Sequence, residues 1–490
     1  METNGISRRL GRWLSGISCH PPVYLVGGTV RDLVRGKFPK DIDLACRGAK
    51  DLAAQIASAR EVSIVAMEKK ESQPCYRVVN RNDAKDFLDI AELRGVSIED
   101  DLCQRDFTIN AMALEVCGTQ LEDRGAGILV DPLGGLADVR KKIIRMTTGQ
   151  AFTDDPLRII RAFRFAAELE FGIDPATLPC MRTSSDLLTL VSAERIMYEL
   201  GLILATPRAG LVIEEMDGQG ILDRLFPEII TMKETPQNGY HHRDVWGHSL
   251  LVLQNTEYIL NHPAEFFGGQ AGAVSDNLAR DSRLPLLKLA ALFHDAGKPT
   301  TRGLNPETGR ITFYGHDRAG GEITELLVER MRLSSRAGAF IVRMVREHLR
   351  PLVLSSPGAT GSVRLRWFRK LGDDIVPSVI LAMADVMSSL GPESGEEYRR
   401  GFLEWGGKTV AGYFSEARKI LERPLLISGH DLMELGMEAG PVIGGILRQV
   451  REAQDNGEVT TRDEALAYAR ELLGGRAPSS RRYGGPSSAK

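Results

Sequence analysis

Asp41 and Asp43 stand two residues apart, behind a glycine pair, Gly27-Gly28, and the segment Thr29-Val30-Arg31-Asp32. On a strand, residues i and i+2 point to the same face, so the two carboxylates would present their oxygens side by side. Hard oxygen donors placed that way suit Mg²⁺, which keeps waters and substrate phosphates as its other ligands. The glycines supply the second half of a phosphate site. Val23-Tyr24-Leu25-Val26 reads as a buried strand, Gly27-Gly28 as a turn without Cβ atoms, and Thr29 to Val34 as the first turns of a helix. Peptide N–H groups at such a turn can hold an anion, with Arg31 in reach as a bidentate clamp. A Gly-Gly turn alone, or an Asp-x-Asp alone, is commonplace; joined at this spacing they point to metal-assisted phosphate chemistry.

The elements around these residues predict an α+β protein of several domains, because 490 residues exceed the roughly 250 to 300 that one core supports. Residues 1–145 mix strand-like runs (23–26, 61–66, 86–91, 111–116) with helical ones and read as a small mixed α/β head. Residues 146–225 turn helical, as a neck. On a helical wheel Asp154, Arg158 and Arg161 share one face, with Asp155 at its edge, while Ile159, Phe163 and Ala166 gather opposite. The polar face is then free to meet a ligand. Residues 226–390 hold most of the histidines, and 391–475 form a further helical section. Residues 476–490, rich in Ser, Gly, Pro and Arg, are expected to be disordered.

Apolar content of 43% with 26% charge suits a globular chain, and no apolar run reaches the roughly 18 residues of a membrane span. The six cysteines (Cys19, Cys46, Cys75, Cys103, Cys117, Cys180) lack zinc-type Cys-x-x-Cys spacing and read as reduced thiols, which predicts a cytoplasmic protein. A net charge of −3 does not advertise nucleic-acid binding, so an RNA surface must be local. Arg343, Arg346, Arg350, Arg364, Arg366, Arg369 and Lys370 offer one such patch, with a solvated helix face as the alternative.

The Gly27–Asp43 region resembles the first motif of the class II tRNA nucleotidyltransferase and bacterial poly(A) polymerase family. Residues 100–113, around Arg105, Asp106 and Asn110, are similar to its second motif, and Asp131-Pro132-Leu133-Gly134-Gly135-Leu136-Ala137-Asp138 to its third. Phe152 to Ala167 resembles the fourth, and Glu194-Arg195-Ile196 with Glu199 the fifth. The stretch from Gly429 to Gly444 also resembles the C-terminal region of bacterial members. The resemblance implies a nucleotidyltransferase head, a neck with a base-selecting motif, an HD-type body and a tRNA-binding tail, with Mg²⁺ on Asp41 and Asp43. Its implied partners are tRNA, CTP and ATP. Asp155 would accept from the amino group of cytosine or adenine, while Arg158, three residues on along a helix, donates to the ring acceptors. Arg105, Arg161 and Arg164 become candidates for the triphosphate, with Asp106 and Asn110 orienting arginines or sugar and Asp154 in support.

Departures from the family pattern sharpen this expectation. Asp154 stands where Glu is usual, and Gln104 where a second Arg is usual. Members that build the whole CCA end carry a flexible loop after the position of Arg94; here Gly95-Val96-Ser97 runs straight into Ile98-Glu99-Asp100-Asp101. Members lacking that loop tend to stop after two cytidines, so CC addition is the expectation. Full CCA addition, A-only addition and poly(A) synthesis remain as alternatives.

His248, the pair His294-Asp295, and Asp385 resemble the set of HD-domain phosphohydrolases. Mixed imidazole and carboxylate donors suit Mn²⁺, Ni²⁺, Mg²⁺ or Fe²⁺. His242, His316 and His348 are candidates for supporting or second-metal ligands. Hydrolysis of phosphomonoesters or 2′,3′-cyclic phosphates follows from the resemblance alone, and an HD phosphohydrolase with an RNA-recruiting head is a further alternative.

Overall fold

A computed structural model describes residues 4–18, 21–67, 74–116, 128–358 and 361–473. The tail expected to be disordered, 476–490, lies outside them, as do Cys19 and Cys117. The chain forms two compact units, one of residues 1–230 with 327–333, the other of 231–326 with 334–490.

The first unit is built on a seven-stranded mixed sheet. Its strands are β1 (Val23–Val26), β2 (Asp43–Cys46), β3 (Ser63–Met67), β4 (Cys75–Asn80), β5 (Asp83–Glu92), β6 (Ala113–Val116) and β7 (Leu129–Val130), in the order β3-β4-β5-β2-β1-β6-β7. All neighbours are antiparallel except β2 and β5. The central strands are apolar on both faces, as strands covered on both sides must be: Val23, Leu25, Val26, Leu44, Ala45 and Cys46 are buried. The run expected at 86–91 is longer in the structure, and β2 and β4 on either side of it add pairings that its hydrophobicity did not reveal. Helices α1 (Asn4–Leu14), α2 (Gly28–Val34), α3 (Ala49–Arg60), α4 (Ile98–Cys103) and α5 (Gly135–Lys141) flank or follow the strands.

Helical segments continue the unit: α6 (Ala151–Asp154), α7 (Arg158–Leu169), α8 (Thr177–Ser184) and α9 (Ala193–Leu204). The uninterrupted helix expected from Asp154 to Ala167 is broken. Asp155 is extended, at φ −148° and ψ 98°, because Pro156 follows it: a residue before proline is pushed out of the helical region, and proline supplies no N–H. From Arg158 onward the expected two-faced helix forms, burying Ile159, Phe163 and Ala166.

The second unit is helical. Helix Ile375–Ser388 is apolar nearly all round and runs as a buried core element, with Val376, Val379, Ile380 and Met383 fully enclosed. Helices Val245–Asn261, Arg283–Phe293 and Ser335–Glu347 pack around it. A short antiparallel ribbon pairs Gly303–Leu304 with Ile311–Thr312. The last helices, Pro441–Asp455 and Arg462–Leu473, close over their own small core of Leu432, Val450, Ala465 and Ala469. Among the described residues, no helix is long and apolar enough to cross a membrane.

Candidate active site and candidate metal centre

Gly27 caps α2 with φ +67°, a conformation that costs a residue with a Cβ atom about 1 kcal/mol or more. A Cβ there would also lie 3.1 Å from Arg105 Nη1 and 3.8 Å from Asp43 Oδ2, so this glycine admits both side chains to one corner. Gly28 begins α2 with Arg31 folded back against it. Thr29, which sequence reasoning passed over, is 1% exposed and fixes the two acids. Its hydroxyl donates to the carbonyl of Asp41 at 3.1 Å and accepts from the N–H of Asp43 at 2.9 Å. The only sequence signal for it was an apolar-facing threonine inside the glycine motif. Asp41 is exposed and Asp43 half-buried, with the buried Ile42 between them, the alternation a strand edge imposes.

A third carboxylate joins them through register. Asp89 on β5 sits opposite Asp43 on the parallel strand β2, and Arg77 holds it bidentately with both N···O distances at 2.8 Å. Hard oxygen donors gathered at one strand mouth fit a magnesium-type ion, and Asp41 and Asp43 are the residues that would hold it.

The arginines expected around a triphosphate belong to a continuous polar chain. Arg31 donates to Asn110 Oδ1 at 2.8 Å, and Asn110 donates to Asp106 Oδ1 at 3.0 Å. Arg161 Nη2 meets Asp106 Oδ2 at 2.5 Å and pairs with Glu199 at 3.4 Å, and Arg164 Nε lies 2.7 Å from Glu199. Phe165 packs among these guanidinium groups, with Arg164 4.2 Å from its ring centre and Arg31 and Arg161 each at 5.4 Å. Burial opposes ionisation of Asp106, but the Arg161 guanidinium, Asn110 and the Phe107 N–H outweigh it and hold the carboxyl well below its usual range. Burial likewise opposes the charge on Arg161; Asp106 and Glu199 reverse that effect and raise its pKa. Asp106 and Asn110 thus contact Arg161 and Arg31.

The proposed base-selecting pair is arranged differently from the expected helical neighbours. With the chain extended at Asp155, its carboxylate pairs with Arg195 of α9 at 3.1 Å. Arg158 donates to the carbonyl oxygens of Gln104 at 2.8 Å and of Arg105 and Ala151 at 3.3 Å. Asp154 ends α6 with its side chain exposed. Gln104, standing where a second Arg is usual, meets Arg158 through its main-chain carbonyl. The third motif is a brace: Asp131 accepts from the N–H groups of Gly135 and Leu136, and Asp138 accepts from the Thr108 hydroxyl at 2.7 Å and pairs with Arg145.

In the second unit the histidines and acids converge on Asp295, which is 2% exposed. Its Oδ2 lies 3.1 Å from His294 Nε2 and 3.7 Å from His248 Nε2, and His248 meets Asp385 at 3.0 Å. Its Oδ1 lies 3.3 Å from His316 Nε2 and 3.7 Å from His348 Nε2. His294, His316 and His348 each turn Nδ1 to the carbonyl three residues earlier, at 2.9, 2.7 and 2.6 Å. That contact sets the tautomer that points a lone pair from Nε2 towards the acid. Two ligand groups, His248–His294–Asp295 and Asp295–His316–His348, share the one carboxylate.

The fit to a divalent ion rests on the donor set and its burial. His294 Nε2 and Asp295 Oδ2 are buried and 3.1 Å apart, with His248 Nε2 3.7 Å from the same oxygen, so imidazole and carboxylate donors converge where an ion would sit. Burial, with repulsion from His294, pushes His348 down to about 4, leaving it neutral as a ligand must be. Burial pulls His294 the other way from its neighbour, yet the Asp295 carboxylate dominates and raises its pKa, so an ion bound there would displace that proton. Lys298 reaches Asp295 at 2.6 Å. His242, a candidate ligand by sequence, is exposed and contacts Arg243; its neighbour His241 turns inward instead, with its ring centre 4.4 Å from that of His248. Adjacent histidines in a turn do not announce which one faces the interior. A cavity of about 860 Å³ opens onto the centre, lined in part by Tyr240, Lys298, Arg310, Tyr314 and Arg399.

Comparison with known proteins gives the setting. A family model described as Poly A polymerase head domain matches residues 23–145, one described as probable RNA and SrmB-binding site of polymerase A matches 170–232, and the HD domain matches 245–390. A protein of Deinococcus radiodurans named A-adding tRNA nucleotidyltransferase is 33% identical, over 91% of this chain and 95% of its own. This chain belongs to the tRNA nucleotidyltransferase family. A Thermus thermophilus relative named CC-adding tRNA nucleotidyltransferase is 30% identical over 92% of this chain and 94% of its own. The solved Thermotoga maritima CCA-adding enzyme, complexed with tRNA, shares the fold with a TM-score of 0.58 at 22% identity, covering 96% of this chain and 95% of that one.

In this chain the basic patch read from the sequence is largely neutralised by ion pairs. Arg343 pairs with Asp374 at 2.6 Å, Arg346 with Glu325 at 3.0 Å, Arg369 with Asp455 at 2.6 Å, Arg366 with Glu452 at 3.8 Å, and Lys370 with Glu347. Apart from Glu347, the acids that neutralise it come from elsewhere in the chain, so the local sequence overstated its charge.

Proposed function

We propose that this chain adds nucleotides to the 3′ end of tRNA, taking CTP and stopping after two cytidines. Residues 1–145 act as nucleotidyltransferase head, 146–225 as base-selecting neck, 226–390 as HD-type metal domain and 391–475 as a helical tail that meets tRNA. Mg²⁺, when bound, screens the triphosphate charge and aligns the α-phosphate. Asp41 and Asp43 hold it, Thr29 keeps their spacing, and Arg105 together with the Gly27-Gly28 turn meets the phosphates. Arg31, Arg161 and Arg164 add positive potential around them. The tRNA 3′-oxygen forms its bond to the α-phosphorus as the bridging bond to the β-phosphate breaks; pyrophosphate leaves with the electron pair and the hydroxyl proton passes to water. Asp155 and Arg158 offer hydrogen-bonding groups to the incoming base. The thiols of Cys103 and Cys180, free among the described residues, favour a reducing, cytoplasmic setting.

The observation that carries the CC reading is the connection between β5 and α4, residues 93–97, which is short and tied down by hydrogen bonds to Asp100 and Asp101. Relatives named for A addition and for CC addition are about equally similar, so identity does not choose between them. The test supplies tRNA lacking its 3′ end with CTP, ATP or both. Two cytidines and little AMP are expected, and a full-length loop grafted after Arg94 should raise AMP addition. Efficient AMP addition by the unaltered chain overturns the reading, in favour of complete CCA synthesis, A addition, or poly(A) synthesis if addition continues.

A second reading concerns the histidine centre, and the two buried ligand groups that share Asp295 favour it. His248, His294, Asp295 and Asp385 would hold one divalent ion (Mn²⁺, Ni²⁺, Mg²⁺ or Fe²⁺), with His316 and His348 serving a second. Such an ion would supply Lewis acidity toward a phosphate ester seated in the cavity, where Lys298 and Arg310 offer cations. Reconstituted protein assayed with phosphomonoesters and 2′,3′-cyclic phosphates should release product only when metal is present; no metal uptake would overturn it.

A further inference from the structure

The connection between β5 and α4 is constructed as a brace. Gly95 turns with φ +79°, and a Cβ there would come within 2.5 Å of the Asp100 Cβ. The Asp100 carboxylate accepts from the N–H groups of Val96 at 2.8 Å and Ser97 at 3.0 Å, and the Ser97 hydroxyl accepts from the Asp100 N–H, a reciprocal cap on α4. Arg47 donates to the carbonyls of Gly95 and Val96. Arg94 touches this helix at two points, one within it and one at its C-cap. Its N–H meets Asp101 Oδ1 at 3.2 Å, and its guanidinium donates to the Gln104 carbonyl at 3.1 Å. The same carbonyl accepts from Arg158 at 2.8 Å, and the same buried carboxylate accepts from Arg105 at 2.8 Å.

We propose that Arg94 is a positioning residue for base selection, holding Arg158 in place through the Gln104 carbonyl that the two guanidinium groups share. The inference rests on Arg158 facing the base. A carbonyl oxygen has two lone pairs, and these two donors fill it. Arg158 cannot swing across the carbonyl to improve its own bond, because Arg94 occupies that side and repels it. Arg158 Nη1 meanwhile donates to the carbonyls of Arg105 and Ala151 at 3.3 Å, longer contacts than the one at Gln104. Removing Arg94 frees a lone pair and removes the repulsion, so Arg158 can shift and its contact with the base loosens. A braced connection thus reaches the base-reading side chain without touching the nucleotide.

Single-nucleotide incorporation with CTP, ATP and UTP, on tRNA lacking its 3′ end, tests this. Arg94→Ala should lower the preference for the favoured nucleotide about tenfold, the scale of one base contact, with tRNA affinity unchanged. Arg94→Lys, which keeps a cationic donor within reach of the carbonyl, should recover most of it. In an Arg158→Ala background, Arg94→Ala should cost no further discrimination. Unchanged preference in Arg94→Ala, or effects of the two substitutions that multiply, would overturn the proposal. If Arg94→Ala does not fold, loss of preference in Arg94→Gln relative to Arg94→Lys gives the same decision. A wild-type chain that prefers ATP would sink the CC reading but leave this cycle able to show whether Arg94 acts through Arg158.

Discussion

The carboxylates of the sheet unit and those of the helical unit are set up in opposite ways. Asp41 is exposed and Asp43 half-buried at a strand mouth, with Arg105 and Arg77 close by. Asp295 is buried among four imidazoles, three of which have Nδ1 oriented by a main-chain carbonyl. On the proposed reading, the first site receives a substrate that brings several negative charges, so cations surround it and it stays open to water. The second is built for a resident ion, so its donors are dry and converge on one buried carboxylate. An enclosed acid that lacked such an ion would be costly; an open one is not. Exposure of the acid therefore distinguishes a site that waits for charge from one that stores it.

Four variants would break or sharpen this contrast. Asp43→Ala carries the largest expected effect: loss of the ion-holding oxygen removes several kcal/mol of transition-state stabilisation, so incorporation should fall by about a thousandfold or more while the metal content of the helical unit stays at its wild-type value. Elemental analysis beside a primer-extension assay reads both. His294→Ala combined with Asp295→Ala should produce the reverse, removing bound metal and any phosphatase activity but sparing CTP incorporation. Loss of both activities in that variant would mean that the two centres are coupled.

Arg158→Ala should be smaller in rate but specific in kind. Losing half of the hydrogen-bonding edge should reduce discrimination among the four nucleotides by about 1 to 3 kcal/mol, roughly five- to 150-fold. A uniform fall in rate with preference intact would make Arg158 a structural tie between α7 and α4. The smallest effect belongs to Ser97→Ala, which removes the cap of α4 and should lower stability by about 1 kcal/mol in denaturant unfolding. Because that cap also pins the brace, a modest rise in AMP addition should accompany it.

Much of the head could be read from local pattern. The glycine turn, the acids two apart on a strand, and the two-faced helix after Arg158 depend on residues close in sequence, where backbone geometry links spacing to direction. The break at Asp155 was equally local, since Pro156 forbids the helical conformation before it, yet the helical periodicity on either side masked it. In the helical unit, His294-Asp295 was recognisable as a pair, but the choice of His241 over His242 turned on which way a short segment faces its neighbours.

The amino-acid sequence by itself determined the chemical types and local spacings: hard acids behind a glycine turn, a His-Asp pair, and a connection after Arg94 too short to move far. Tertiary structure alone decided which distant residues meet. It set Asp89 beside Asp43 through parallel register, brought His316 and His348 to the second oxygen of Asp295, gave Asp155 to Arg195, and neutralised the basic patch with acids from other helices. Local spacing follows from covalent geometry and the few allowed backbone conformations. Long-range pairing depends on how apolar faces pack, and no single segment encodes that.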